Sequence, residues 1–363
     1  MIIRSLELVD FRNYRSATFE LTAGITAVIG RNGQGKTNLA EALAYLATLD
    51  SFRGAPPEAL IRVGAETAII RATIVHDDGR EILVEAELNR SGRNRVQVNR
   101  QRLGRVRELL GSVRVSVFAP DDLALVKGAP SERRRFLDDT LVALAVKHDA
   151  MRLELDRILK QRNTLLKQLA VRRDDDGVHT LDVWDAKLAE TGDRFGHARA
   201  VLVARVGPHV LEAYEQLAGA SVAVELVYEP TWRATGLAAA LAAARDLDIR
   251  RATSTVGPHR DDLELRLAGM PARTHASQGE QRTLALALRL GAHRLVADTT
   301  GTPPVLVLDD VLSELDAQRA TALLEHIPPG QVVLTTASEL PEAAHPDVTL
   351  RIVAGAGSVT VSA

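Results

Sequence analysis

Gly30-Arg31-Asn32-Gly33-Gln34-Gly35-Lys36-Thr37 fits G-x-x-x-x-G-K-[ST] in full. An apolar run of strand length, Ile25–Ile29, precedes it. Asn38–Leu49 follows, with Leu39, Leu43 and Leu46 at helical spacing. Strand, glycine loop and helix in that order make a phosphate-binding loop. Glycines let backbone N–H groups close around phosphate oxygens, and the helix N-terminus adds partial positive charge. In such a loop Lys36 reaches the β- and γ-phosphates of ATP and Thr37 holds Mg²⁺. A glycine-rich turn that binds nothing has the same composition, but it needs neither the strand nor the helix.

A matching acidic strand end lies far downstream. Val305-Leu306-Val307-Leu308 is wholly apolar, as suits a strand buried on both faces, and Asp309-Asp310 follows it. Asp309 is placed to sit beside Mg²⁺, and Asp310 to polarise the attacking water. Ser277-Gln278-Gly279-Glu280-Gln281 opens a long helical pattern, Gln281–Val296. It resembles the ABC signature L-S-G-G-Q. It is equally a capping box, with Glu280 three residues after Ser277. The order decides in favour of the ABC set: phosphate loop, long gap, signature, acidic strand. Ser313-Glu314-Leu315-Asp316 then resembles the ABC D-loop.

Three further segments narrow the resemblance. Together with the loop Asn32-Gly33-Gln34-Gly35-Lys36-Thr37-Asn38, the segments Phe11-Arg12-Asn13-Tyr14, Pro130-Ser131-Glu132-Arg133-Arg134-Arg135-Phe136-Leu137-Asp138 and Gly257-Pro258-His259-Arg260-Asp261-Asp262 look like the RecF family of ABC-type ATPases. The match covers nearly the whole chain. It implies an α/β, ABC-type P-loop ATPase head with a mainly helical inserted subdomain and no long coiled coil. It implies a nucleotide site of Gly30, Arg31, Asn32, Gly33, Gln34, Gly35, Lys36 and Thr37, with Arg12, Ser277, Gly279, Gln281 and Asp316. It further implies weak, DNA-stimulated ATP hydrolysis, with Lys36, Ser277, Asp309 and Asp310 carrying catalysis and Thr37 and Asp309 holding the metal. An ATP-dependent homodimer follows, as do action at gapped or junction DNA and help, with RecO and RecR, in loading RecA. Three departures stand out. Thr335-Thr336 occupies the place of the switch histidine of ABC transporters. Asp310 replaces the usual Glu, one methylene shorter, so hydrolysis is expected to be slow. No Q-loop glutamine can be placed, and Asp121 and Asp122 lie where it would be.

Pattern along the chain agrees with a split head. Leu6–Phe11, Thr67–Val75, Glu81–Leu88 and Val113–Phe118 read as strands, with Asp77-Asp78-Gly79 a hairpin turn. After Pro130 the chain is helical to about Leu217, and Leu155, Ile158, Leu159, Leu165, Leu166 and Leu169 trace one apolar face. Residues 172–177 break that run. Strand–helix alternation returns from Leu263, through Val305–Leu308 and Val332–Thr335. The expected domains are a head of 1–129 with 255–363, and an inserted subdomain of 130–254.

Apolar residues are 46% of the 363 and charged residues 25%, the balance of a folded globular protein. Cysteine is absent, which excludes disulfides, thiolate metal sites and a cysteine nucleophile. No signal-like or membrane-length apolar run occurs, so a cytoplasmic address is expected, with no membrane partner. The net charge of −2 gives no general affinity for nucleic acid, so contact with DNA must be local. Asn89–Arg107 supplies a patch: Arg90, Arg93, Arg95, Arg100, Arg102, Arg105 and Arg107 without one acid. The cations Arg157, Lys160, Arg162 and Lys167 are second candidates. Sequence-specific readout is not expected, since aromatics are 3% and no helix-turn-helix or zinc site appears. The rivals are an ABC transporter subunit, a small-molecule kinase, and a DNA-binding scaffold that does not hydrolyse ATP.

Overall fold

The computed structural model describes residues 1–172, 175–355 and 358–362. β1 (Ile2–Phe11) and β2 (Tyr14–Glu20) form an antiparallel hairpin that turns at Arg12, φ 55°. β3 (Ile25–Ile29) leads through the glycine loop into α1 (Lys36–Thr48), and α2 (Pro57–Leu60) is one short turn. β4 (Thr67–Val75) and β5 (Glu81–Asn89) pair around Gly79, whose φ of 81° suits glycine. β6 (Arg95–Val98), β7 (Gln101–Arg102) and β8 (Val115–Phe118) follow. Next come α3 (Ala124–Lys127), α4 (Pro130–Leu144), α5 (Lys147–Val171) and α6 (Asp175–Ala218). β9 (Val224–Val227), α7 (Leu237–Arg251), β10 (Glu264–Leu267), β11 (Met270–Pro271), α8 (Ala272–His275) and α9 (Gln278–Thr300) succeed them. The chain closes with β12 (Val305–Asp309), α10 (Ala317–Glu325), β13 (Val332–Thr336), β14 (Val348–Gly355) and β15 (Ser358–Ser362).

The chain packs as two compact units. The first comprises 1–123, 212–221 and 282–363. It holds two six-stranded sheets, ordered β15-β14-β3-β13-β12-β8 and β2-β1-β4-β5-β6-β7. The former is parallel except for β14 with β15; the latter is antiparallel. Every residue of β12 and β13 is buried, as in strands covered on both faces. Leu39, Leu43 and Leu46 of α1 share one core with Leu6, Leu8 and Ile70 of one sheet and Val28, Val305 and Val333 of the other. The glycine loop, at the end of β3, is thus carried by elements anchored on both sheets.

The second unit comprises 124–211 and 222–281. Besides its helices it contains the three-stranded sheet β11-β10-β9, which helical periodicity does not reveal. Residues 255–281, placed with the head by strand–helix alternation, pack here instead. The reason is backbone pairing: β10 finds its hydrogen-bond partner in β9, so the segment is satisfied inside this unit. On α5, Leu155, Ile158, Leu159, Leu166 and Leu169 are buried and Leu165 is partly so. Arg162 departs from expectation, because it is fully buried. Its Nε donates to Asp185 at 2.7 Å and one terminal nitrogen to Asp248 at 2.7 Å and Ser254 at 2.8 Å. A buried guanidinium needs such partners, and they remove Arg162 from any DNA surface. Arg157, Lys160 and Lys167 stay exposed. Arg173 and Asp174, in the expected helix break, lie outside the described residues. Among the described residues no helix is long and apolar enough to cross a membrane.

Candidate nucleotide site

The glycine loop is tightly constrained. Lys36 is buried, and its Nζ donates to the carbonyls of Gly30 (2.8 Å) and Arg31 (3.2 Å). The Gln34 side-chain oxygen accepts the Arg31 N–H at 2.7 Å. A Cβ on Gly30 would stand 2.8 Å from the Ile352 carbonyl and 2.9 Å from that Gln34 oxygen, so glycine is required there. Arg31, Asn32 and Gly33 are exposed at the loop tip.

Parallel pairing of β12 with β13 places Asp309 opposite Thr335. The Asp309 carboxylate accepts the Thr335 hydroxyl at 2.7 Å and the Thr37 hydroxyl at 3.3 Å on the same oxygen. The lysine loop and the acidic strand end therefore meet through side chains. Burial raises the Asp309 pKa, the expected response of a carboxyl held out of water. Its oxygens, with the Thr37 hydroxyl, are the hard donors Mg²⁺ prefers. Asp310 sits in the left-handed region, φ 52°, where its N–H reaches both the backbone carbonyl and the hydroxyl of Thr335 at 3.1 Å. Its Oδ1 is buried and accepts no hydrogen bond. Thr335, in the place of the switch histidine, thus contacts both acids, a role its residue type did not advertise.

Other expected positions are placed as follows. Asp316 caps α10, accepting the Arg319 N–H at 2.9 Å, and Ser313 donates to the Asp310 carbonyl at 2.8 Å. Asp122 accepts from Arg289 and from the Ala119 N–H at 2.9 Å, so it is engaged in structure. Arg12 pairs bidentately with Glu41 of α1, both bonds 2.7 Å, and with the Ala59 carbonyl at 2.9 Å. In the second unit Ser277 and Glu280 form the capping box at 2.7 and 3.4 Å, at the head of α9. Gly279 lies in the first turn. Gln281 donates to the carbonyls of Ala272 and Arg273 at 3.0 and 3.2 Å.

The second unit also explains two sequence elements that had no chemistry of their own. Arg133 clasps Asp262 with two bonds of 2.7 and 2.9 Å, and Arg134 donates to the Asp261 carbonyl at 2.7 Å. Arg199 joins Asp138 to the Pro258 carbonyl. Asp261 in turn accepts from Tyr228 and Trp232. His259 is held neutral by burial, its pKa lowered to about 4, and bonds the Ser254 carbonyl at 3.0 Å. Pro130–Asp138 and Gly257–Asp262 are therefore two halves of one polar network, buried at Arg133, Arg199 and Asp261 and open to solvent at Asp262. Such a network is costly if half-satisfied, which explains the demand for those residue types together.

Of the arginines of Asn89–Arg107, Arg95 and Arg102 lie on β6 and β7 at the edge of the antiparallel sheet, and the others lie in the segments before, between and after those strands. Arg90, Arg93, Arg95, Arg100, Arg102, Arg105 and Arg107 are all exposed. Arg95 pairs with Glu87 at 3.4 Å, and Arg90 donates to the Ala65 carbonyl at 3.1 Å. Asn99 and Arg100, both at positive φ, make the turn.

The family model described as RecF/RecN/SMC N terminal domain matches residues 2–354. The chain is 46% identical to the DNA replication and repair protein RecF of Streptomyces avermitilis, over 93% of this chain and 94% of that one. The chain belongs to the RecF family. A solved structure of the recombination mediator protein RecF-ATPrS in the RecFOR pathway superposes with TM-score 0.90, at 28% identity, over 100% of this chain and 98% of that one. An Smc head domain with an extended coiled coil from Pyrococcus furiosus shares the fold, with TM-score 0.59 at 18% identity over 99% and 95% of the two chains. This RecF-family chain thus has the ABC-type ATPase head common to RecF and SMC proteins. The residue the sequence does not single out is Glu41, which lies on α1 and forms no motif by itself; the hairpin brings Arg12 to it. Thr335 stands out only as a departure, and the strand register gives it its contacts with both acids.

Proposed function

We propose that this protein is an ATP-dependent DNA clamp of recombinational repair, closed by ATP and released by slow hydrolysis. The observation that carries the reading is the meeting of Thr37 with Asp309, which joins the phosphate loop to the acidic strand. Lys36 moves from the Gly30 and Arg31 carbonyls to the β- and γ-phosphates when ATP enters. Mg²⁺, held by Thr37 and Asp309, would neutralise charge on those phosphates. Asp310 offers its unpartnered oxygen to the attacking water as general base. Its shorter reach relative to Glu makes turnover slow.

One phosphate loop and one signature per chain require two chains to make two complete sites, which is a two-fold dimer. Ser277 and Gly279 of one chain cap the nucleotide of the other, with Asp316 at the same seam; Gln281, expected to share in this, is buried and instead holds the Ala272 and Arg273 carbonyls behind them. Loss of the γ-phosphate removes the contact that favours the dimer. Ser277→Arg should leave nucleotide affinity of the monomer intact and block ATP-dependent dimerisation in sedimentation velocity. A normal dimer in that variant would remove the signature from the account.

DNA is bound through its phosphates, without sequence preference, by the exposed arginines at and around the β6–β7 edge. Arg93→Ala should lower the slope of log affinity against log salt by about 0.9, the loss of one phosphate contact. An unchanged slope would leave the arginines as solubilising edge residues. DNA binding stimulates hydrolysis and sets the release of the clamp at gapped or junction DNA, where RecO and RecR take part in loading RecA. The RecF-ATP and RecF-ATPrS structures of the RecFOR pathway, 28% identical, support a nucleotide-binding role in that pathway.

A further inference from the structure

Phe11-Arg12-Asn13-Tyr14 marks the family in the sequence. Arg12, expected at the nucleotide, is engaged by Glu41 and the Ala59 carbonyl, and nothing above gives Asn13 or Tyr14 a task. The geometry points to one: Asn13 and Tyr14 are positioning residues that set the peptide planes of the phosphate loop, turning its N–H groups toward the phosphates. This deepens the proposed function and rests on Gly30–Thr37 being a nucleotide site.

Two hydrogen bonds lie behind the loop. Asn13 Nδ2 donates to the Gln34 carbonyl at 3.0 Å, and the Tyr14 hydroxyl donates to the Gly35 carbonyl at 2.8 Å. A peptide unit is planar and trans, so the C=O of one residue and the N–H of the next point in opposite directions. Holding the Gln34 carbonyl on Asn13 therefore turns the Gly35 N–H the other way. Holding the Gly35 carbonyl on Tyr14 does the same for the Lys36 N–H.

The two bonds differ in weight. The Gly35 carbonyl also accepts the Leu39 N–H at 3.0 Å, the first bond of α1, so the helix already orients that plane. The Gln34–Gly35 plane lies outside the helix, and Gly35 has φ 120°, where glycine rotates with little resistance. Asn13 is consequently the stronger of the two restraints.

The brace is itself immobilised. Asn13 Oδ1 accepts from Asn38 Nδ2 at 2.7 Å. Arg12, one residue earlier, is clamped on the fully buried Glu41, which also accepts from Ser51. Tyr14 is fully buried and meets Phe19 edge to face at 5.7 Å. Burial raises its pKa, which keeps the hydroxyl a donor. The brace also closes on the loop: a Cβ at Gly35 would lie 2.6 Å from the Tyr14 oxygen and 2.9 Å from Asn13 Nδ2. The glycine before Lys36 is thus demanded from the rear of the loop as well as by its φ.

The test uses full-length ¹⁵N-labelled protein, ADP with Mg²⁺ as the probe, calorimetry for affinity, and the amide protons of Gly35 and Lys36 as reporters. Asn13→Ala should weaken ADP about tenfold, the worth of one well-formed hydrogen bond, and should cut the nucleotide-induced shift of the Gly35 amide by more than half. Tyr14→Phe, which removes one oxygen, should act mainly on the Lys36 amide and cost less affinity; it carries the test if Asn13→Ala does not fold. A merely structural role would lower the melting temperature and leave both amide shifts alone. Wild-type affinity and shifts in the variants would overturn the brace while leaving the nucleotide site standing. Failure of the unaltered protein to bind ADP would overturn the site and the brace together.

Discussion

Lys36→Ala is expected to bring ATP affinity down by ~100-fold or more, since each charge-assisted hydrogen bond to phosphate contributes about 1.5–3 kcal/mol. The lysine is buried at the foot of the loop and already points its ammonium across the Gly30 and Arg31 carbonyls. Alanine removes the only side-chain cation in Gly30–Thr37 other than Arg31, which is exposed. The helix N-terminus and the loop N–H groups remain, but dipoles alone offset little of the γ-phosphate charge. Calorimetry with ATP and Mg²⁺ measures this directly. Unchanged affinity would refute the phosphate-loop assignment at its root.

The second large effect belongs to Asp310→Asn. Turnover should fall by about 10²–10⁴, the usual contribution of a general base, with nucleotide affinity preserved. Asparagine keeps the shape and the left-handed backbone tolerance that φ 52° demands, so the N–H bonds to Thr335 survive. What it loses is the ability to take a proton from water through the buried Oδ1. Phosphate release under single-turnover conditions is the measurement. Turnover equal to the parent protein would place the base elsewhere, or show that the water needs none. An Asp309→Asn control should instead weaken the dependence on Mg²⁺.

How much of this was legible beforehand depends on the kind of signal. The loop and the β12 strand announce themselves, because glycines at fixed spacing and four consecutive apolar residues are local patterns. Thr67–Val75 matches the element in the structure residue for residue, since one face is buried and the period of two is clean. Arg162 failed for the opposite reason. Its spacing on α5 resembles an exposed cation, and only the arrival of Asp185 and Asp248 from distant sequence makes its burial tolerable. Residues 255–281 were misplaced because alternation of strand and helix does not say which sheet a strand joins. The Arg133–Asp262 pair spans 129 residues, beyond any periodicity. Asn13 and Tyr14 were visible as a marker of the family, but their work on the loop is a matter of carbonyl direction, which a sequence does not display.

The claim at the centre of the account is that ATP joins two copies of this chain. Its most direct test is the solution mass of Asp310→Asn by light scattering, with and without ATP and Mg²⁺. The account predicts a monomer without nucleotide and a dimer of twice 39.2 kDa with it. A monomer under both conditions, with ATP shown to be bound, would contradict the clamp and leave a nucleotide-binding protein that works by some other means.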